Sequence, residues 1–184
     1  MNGLRTVYQH AGVVFSGRFE TTVNELTDQL PALRPEIMAE AADEILRIGD
    51  FDCDKLLVEE EKGAALGGVV ALKAGLPLAM ARRYNYDIPS FKVPLESEYI
   101  EGHLYVNGIQ PGDRVIVIDD TISTGGTLIA LLRAVRELGA VIHDVVALVE
   151  KVDNHGVERV LKETGITVKT LLKIQIVDGR VVVL

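Results

Sequence analysis

The sequence predicts an α/β fold: a mostly parallel, twisted sheet flanked by helices. Three observations predict it. Short β-branched runs alternate with helical patterns from Lys55 to Glu163, which is the signature of linked βαβ units. The chain has 184 residues, 48% of them hydrophobic, enough for one domain spanning 1–184 with a substantial core. The sole cysteine is Cys53, so no intramolecular disulfide is available and burial must hold the fold.

Each element has its own justification. Val13-Val14-Phe15 reads as a short strand and Leu26 to Pro35 as a loop. Pro35 to Gly49 reads as a helix: proline suits a first helical position, glycine suits a stop, and Ile37, Met38, Ala41, Ile45 and Leu46 share one face. Lys55 to Glu59 (KLLVE) is a buried strand, Ala64 to Ala74 an apolar helix, and Pro77 to Arg82 the next strand. His103 to Val106 adds a strand, and Arg114 to Ile118 (RVIVI) is a β-branched run. Gly126 to Leu138 is amphipathic and stops at Gly139. Val141 to Val149 is strand, and His155 to Glu163 is helix before Gly165. KTLLKIQIV and RVVVL flank Asp178-Gly179, a two-residue hairpin signal. The long polar connection from Tyr84 to Gly102 reads as a functional lid.

Composition bounds the partners. Lys plus Arg is 19 and Asp plus Glu is 27, a net charge of −8. That balance argues against nucleic acid, whose recognition wants a basic face. The longest apolar stretch is broken by Lys73 and Pro77, so no membrane span is expected, and no signal-peptide pattern opens the chain. The lone cysteine fits a reduced, cytoplasmic setting. His10, His103, His143 and His155 are scattered without zinc-ligand spacing.

The chemistry concentrates in VIVIDDTISTGGT, Val115 to Thr127. A buried strand ends in Asp119 and Asp120, a small glycine-rich loop follows, and a helix starts. Ligands of open α/β sheets bind at such strand ends. Gly125 and Gly126 let the loop turn its N–H groups inward, beside the hydroxyls of Ser123, Thr124 and Thr127 and the positive end of a helix dipole. That combination binds a phosphate. The acids would repel the same phosphate; they suit sugar hydroxyls, or Mg2+ held through water. Phosphate plus diol suggests a ribose 5-phosphate. A tight strand-to-helix turn with a cap is the plainer alternative. The loop has neither the Gly-Lys-Ser/Thr ending of a nucleoside-triphosphate loop nor a G-x-G-x-x-G pattern.

VIVIDDTISTGGT resembles the phosphoribosyl-pyrophosphate signature of the type I phosphoribosyltransferases. The likeness runs from about Asp50 to about Lys151 and more weakly to the carboxyl end. It is strongest toward the adenine enzymes and the archaeal-type hypoxanthine/guanine enzymes; LYVNGIQPGDRVIVIDDTISTGGT and LLKIQIVDGRVVVL look archaeal-type. The resemblance implies a core of about 35–165 and a small hood from about 1–34 and the C-terminal hairpin, 166–184. It implies that Asp119 and Asp120 contact ribose hydroxyls and that Thr121, Ile122, Ser123, Thr124, Gly125, Gly126 and Thr127 hold the 5-phosphate. Glu60-Glu61-Lys62-Gly63 matches the pyrophosphate loop, with Lys62 the cation; Arg82-Arg83 matches a basic pair that reaches pyrophosphate. Leu95-Glu96-Ser97-Glu98-Tyr99 resembles a closing loop of adenine enzymes, with Glu98 assisting proton transfer and Tyr99 covering the site. The insertion Ile100-Glu101 departs from that pattern. Val13-Val14-Phe15 resembles a base-reading stretch, with Val14 and Phe15 near the purine.

The implied activity is transfer of phosphoribosyl from phosphoribosyl pyrophosphate to a purine, with Mg2+ as cofactor and a homodimer as the assembly. Adenine is slightly favoured, on Glu98-Tyr99 and Gly12 to Phe15, with hypoxanthine and guanine next. A phosphoribosyl-pyrophosphate-binding regulator without catalysis is the alternative; such a protein usually carries a basic, nucleic-acid-binding element, which this chain lacks. An orotate enzyme is discounted, because Tyr84 to Gly102 holds Lys92 as its one lysine. The run Glu59-Glu60-Glu61 poses a problem, since three carboxylates beside a pyrophosphate repel it.

Overall fold

The computed structural model describes residues 2–15, 19–85, 87–96 and 101–184. In chain order the elements are α1 (Asn2–Gln9), β1 (Gly12–Phe15), β2 (Glu20–Val23), α2 (Pro35–Ile48), β3 (Lys55–Glu59), α3 (Glu60–Ala74), β4 (Leu78–Arg82) and β5 (Phe91–Glu96). Then follow β6 (Glu101–Asn107), β7 (Arg114–Ile122), α4 (Gly126–Glu137), β8 (Val141–Lys151), a 3-10 turn (Val152–Asn154), α5 (Gly156–Thr164), β9 (Lys169–Val177) and β10 (Arg180–Val183).

One sheet runs β10-β9-β8-β7-β3-β4-β6-β5. The pairs β9–β8, β8–β7, β7–β3 and β3–β4 are parallel; β10–β9, β4–β6 and β6–β5 are antiparallel. This is the mostly parallel sheet expected, with antiparallel additions at both edges. The C-terminal hairpin continues the sheet: Asp178 and Gly179 take φ of 50° and 68°, as its tight turn requires. β1 and β2 form a separate antiparallel pair at the N-terminal end.

The core follows from strand alternation. Leu57, Val115 and Val117 face one side of the sheet, where they meet Leu128, Leu131, Leu132 and Val135 of α4 and Val160 of α5. Leu56, Val58, Ile116 and Ile118 face the other, against Leu4 of α1, Ile37 and Ile45 of α2 and Leu66 and Val70 of α3. Both faces are covered, so the central strands read as continuous apolar runs. Among the described residues, no helix is long and apolar enough to cross a membrane.

Several expectations need correction. The connection Tyr84 to Gly102 is not one long loop, because it contains β5 and the start of β6. Phe91 to Glu96 alternates cleanly, with Val93 and Leu95 buried and Lys92, Pro94 and Glu96 exposed. Pro94 disguised the strand, yet β5 is an edge strand, where a proline is tolerated. Helix α3 starts at Glu60, not Ala64: Glu59 caps it by accepting from the Glu61 N–H, and acids in a first turn suit the helix dipole. β7 runs on to Ile122, two residues past the acids at which the strand was expected to end. Helix α1 and strand β2 were not anticipated, although Leu4, Val7 and Tyr8 sit at helical spacing and are buried. Glu98 and Tyr99 lie outside the described residues.

The contact between α3 and β3 is tight at Gly67, where an added Cβ would fall 2.5 Å from Cγ1 of the stiff Val58 side chain. Gly67→Ala gains helix propensity of up to about 1 kcal/mol, but overpacking costs about 1–3 kcal/mol. The expected result is net destabilisation in urea unfolding of about 1 kcal/mol, reversed in sign when Gly67→Ala is made in a Val58→Ala background.

Candidate active site

The carboxyl ends of β3 and β7 lie side by side, because the two strands pair in parallel from Lys55/Val115 to Leu57/Val117. A cleft of about 720 Å³, its open mouth included, sits at these ends. That size suits a small ligand. From β7 come Asp119, Asp120, Thr121 and Ile122; the loop Ser123–Gly125 and the first residues of α4 continue the wall. β3 contributes Glu59, α3 contributes Glu61 and Lys62, and Arg83 follows β4. The loop is drawn tight by Gly125, whose φ of 79° lies in the left-handed region and which caps α4.

The two acids are buried and lie inside the strand, not at its end. Asp119 is 8% exposed and Asp120 5%, because β7 extends past them and β8 pairs alongside as far as Ile122/Glu150. Burial pushes the Asp119 carboxyl well above the usual range, and the charges of Asp120 and Glu59 add to it. Burial also raises Asp120, against the pull of Lys62 and a hydrogen bond from Thr121. Oδ2 of Asp120 is buried without a hydrogen-bond partner among the described residues. Beneath it lies Tyr8 of α1, wholly buried; burial and the nearby Asp120 charge hold its phenol far above the normal range.

The cations are tied to carboxylates. Lys62 donates to Asp28 at 2.8 Å, and Arg83 pairs with Glu61 and lies 3.7 Å from Glu59. Burial raises the Glu59 carboxyl while Arg83 draws it back. The pair Arg82-Arg83 therefore splits: Arg83 lines the cleft, while Arg82 donates to Glu60 at 3.0 Å and is not part of the wall. Gly63 sits inside α3, packed 3.4 Å (as an added Cβ) from Val58, also outside the wall.

Val14 and Phe15 are not brought to this cleft. They are 47% and 70% exposed on β1, and it is the next strand, β2, that supplies Thr21 and Thr22. Sequence reasoning missed those threonines, because a short ETTV strand has little apolar signature. It also missed Lys151, 4% exposed at the end of β8, which donates to Thr21 Oγ1 at 3.4 Å. A lysine closing an apolar β8 run was the available signal.

Among the described residues no cluster of three or more His, Cys, Asp or Glu side chains is arranged to hold a metal unaided. The residues nonetheless fit Mg2+ of the substrate-borne kind. That ion takes one or two carboxylates and otherwise water and phosphate oxygens, and the unpartnered Oδ2 of Asp120 beside Asp119 is a hard oxygen donor set.

A buried acid pair makes stability depend on pH. With folded pKa values above the unfolded ~3.9, the native state keeps protons that the unfolded chain has released. The stability these protons represent is present below about pH 4 and is lost as pH rises through the raised values. Asp119→Asn is expected to raise the unliganded melting temperature at pH 7 by about 2–4 °C per kcal/mol relieved, with the difference vanishing near pH 4. Thermal melts of both proteins from pH 4 to 8 check this; a constant difference would place its origin elsewhere.

Comparison with known proteins agrees with the geometry. The sequence profile of the phosphoribosyl transferase domain matches residues 31–182. The chain is 39% identical over 182 residues to the hypoxanthine/guanine phosphoribosyltransferase of Methanothermobacter thermautotrophicus, covering 98% of this chain and 93% of that protein. It is 35% identical over 186 residues to the protein of the same name from Methanothermococcus okinawensis, covering 100% of both. In fold it is similar to adenine phosphoribosyltransferase from Rhodothermus marinus, with a TM-score of 0.75, 23% identity and coverage of 94% and 98%. It also resembles the Trypanosoma brucei adenine enzyme in complex with AMP, pyrophosphate and ribose-5-phosphate, with a TM-score of 0.76, 22% identity and coverage of 94% and 78%. Likeness sustained over the whole chain, in sequence and in fold, is not produced by one shared turn, and the chain belongs to the phosphoribosyltransferase family.

Proposed function

We propose that this protein transfers the phosphoribosyl group of phosphoribosyl pyrophosphate to a 6-oxopurine, hypoxanthine or guanine, releasing pyrophosphate. The observation that carries the choice of base is Lys151, an ammonium buried at the edge of the cleft beside Thr21. An ammonium has three donors and no acceptor. It satisfies the O6 carbonyl of hypoxanthine or guanine and opposes the 6-amino group of adenine. The names of the archaeal relatives agree with this choice. The adenine preference expected from the sequence is not supported: its structural neighbours speak for the fold, and Phe15 is exposed and does not line the cleft.

In this reading the loop Ser123–Gly125 and Thr127 hold the 5-phosphate through N–H groups and hydroxyls at the start of α4. Asp119 and Asp120 accept hydrogen bonds from the ribose hydroxyls, which supplies the partner that Asp120 Oδ2 lacks. Lys62 and Arg83 turn from Asp28 and Glu61 to the pyrophosphate. Bound Mg2+ neutralises pyrophosphate charge and would be held by substrate oxygens, water and the Asp119–Asp120 pair. As the bond from C1 to the pyrophosphate oxygen breaks and the bond from the purine nitrogen forms, positive charge grows on the ribose. Two carboxylates in a site shielded from water stabilise that charge. Ionising them is unfavourable in the empty cleft, so binding of the sugar releases protons.

The test is direct. The protein, phosphoribosyl pyrophosphate and Mg2+ are incubated with hypoxanthine, guanine, xanthine, adenine or orotate, and nucleotide formation is followed. Hypoxanthine and guanine are expected to react, with adenine at least ~10²-fold poorer in kcat/KM, the value of a buried hydrogen bond to a charge. Lys151→Met should lower kcat/KM for hypoxanthine by about 10²-fold and narrow the gap to adenine. Adenine as the best substrate overturns the choice of base; donor binding with no product for any base makes the protein a binding module. Asp119→Asn with Asp120→Asn should lower kcat by about 10²–10³-fold with the melting curve still cooperative, and unchanged turnover would remove the acids from the mechanism.

A further inference from the structure

The phosphate loop rests against a segment remote in sequence, the turn Val152–His155 and the start of α5. Three contacts join them. The Asn154 amide donates to Ser123 Oγ. Arg159 Nη1 donates to the Thr124 carbonyl at 3.3 Å. Gly156 lies so close that a Cβ there would collide with the Ser123 carbonyl oxygen, and a Cβ on Gly125 would sit 2.8 Å from the Gly156 oxygen. Both sides of this contact are glycine, so backbone meets backbone.

We propose that this segment is a brace that aims the loop's donors at the 5-phosphate, with Asn154, Gly156 and Arg159 as positioning residues. The inference rests on the reading that the loop binds that phosphate. Peptide geometry gives the reason. In a trans peptide the C=O of one residue and the N–H of the next point in opposite directions. The Thr124 carbonyl is drawn to Arg159, so the Gly125 N–H points away from that guanidinium, while its nitrogen packs against Gly156. The Ser123 carbonyl faces Gly156, so the Thr124 N–H points away as well. The brace thus takes two carbonyls that would repel a phosphate and turns their paired amides to the other side.

Asn154 does the same for a side chain. A serine hydroxyl has one proton to donate. By donating its own N–H into the Ser123 oxygen, Asn154 leaves that proton for the ligand. The brace is itself anchored. Asp153 accepts from Gln175 Nε2 at 2.8 Å and from the Ile176 N–H at 3.2 Å, which ties the turn to β9. Arg159 is held by Glu163 at 2.9 Å, and Glu163 also takes Arg133 of α4 at 2.8 Å. The two helices on either side of the loop are therefore linked through the same carboxylate.

Asn154→Asp is close to isosteric but can only accept when ionised, so it takes the Ser123 proton for itself. The expected result is a KM for phosphoribosyl pyrophosphate raised about tenfold or more, with the KM for the base unchanged. In calorimetry, a purine nucleoside 5′-monophosphate should weaken by a similar factor while pyrophosphate does not. Asn154→Ala should raise the donor KM less, and in a Ser123→Ala background it should raise it no further. Arg159→Gln should follow Asn154→Ala, with Arg159→Lys restoring most of the loss. Gly156→Ala should abolish monophosphate binding in a protein that still melts cooperatively. Equal weakening of monophosphate and pyrophosphate, or additive effects of Asn154→Ala and Ser123→Ala, would overturn the brace. If Ser123→Ala and Thr127→Ala leave monophosphate binding at the wild-type level, the phosphate-loop reading itself fails and the brace with it.

Discussion

The rest of the site depends on two adjacent carboxylates buried at the end of a central strand. Asp119 and Asp120 cannot be relieved by solvent, because β8 runs beside β7 past both of them. Taking such groups out of water disfavours their charged form, and placing them side by side compounds the cost. The surrounding structure carries that cost through its apolar layers on both faces of the sheet. What results is a cleft whose acids are under-satisfied; in the proposed function a polyhydroxyl ligand satisfies them, and a polar site of that kind is pre-organised rather than assembled on binding.

The acidic run beside the proposed pyrophosphate site looks hostile in one dimension and is not so in three. Helix α3 begins at Glu60, so the three acids fan around a helix start: Glu60 turns away from the cleft, while Glu59 and Glu61 line it beside Arg83. Glu59 caps the helix, Glu60 takes Arg82 and Tyr84 at 3.0 and 2.8 Å, and Glu61 takes Arg83. Lys62 is held in the same way by Asp28. Lys62 and Arg83 would repel each other if they stood alone; internal carboxylates hold them in place. These pairs are partly solvated, and such pairs are weak, so exchange for a phosphate is inexpensive.

How much of this was legible in the sequence follows from the range of the interactions involved. The strand, acids, small loop and helix of Val115 to Thr127 are contiguous, and their order alone carried the chemistry. The hairpin at Asp178-Gly179 was legible for the same reason: its φ values are a local demand. The burial of Asp119 and Asp120 was not, because it comes from β8 pairing across them. Nor was the split of Arg82 from Arg83, since alternation along β4 and the partners Glu60 and Glu61 decide it. Pro94 hid β5, which is allowed only because the strand lies at the sheet edge. Thr21, Thr22 and Lys151 entered the site through folding alone, each from a segment without a motif.

That distribution has a consequence for how the site comes into being. Its walls derive from β2, the β3–α3 junction, the end of β4, the β7–α4 turn and the end of β8, and none of these holds a cleft by itself. The parallel pairs β3–β7 and β7–β8 bring three of them to one edge, and parallel pairing requires crossover segments to be closed first. The cleft can therefore exist only once the central sheet is complete. The loop is the most exposed to error in this assembly, since its glycine would permit many shapes. Its shape must be chosen by something outside it. A backbone-to-backbone contact at Gly125 and Gly156 is the closest packing two segments can make, and it leaves the loop few alternatives.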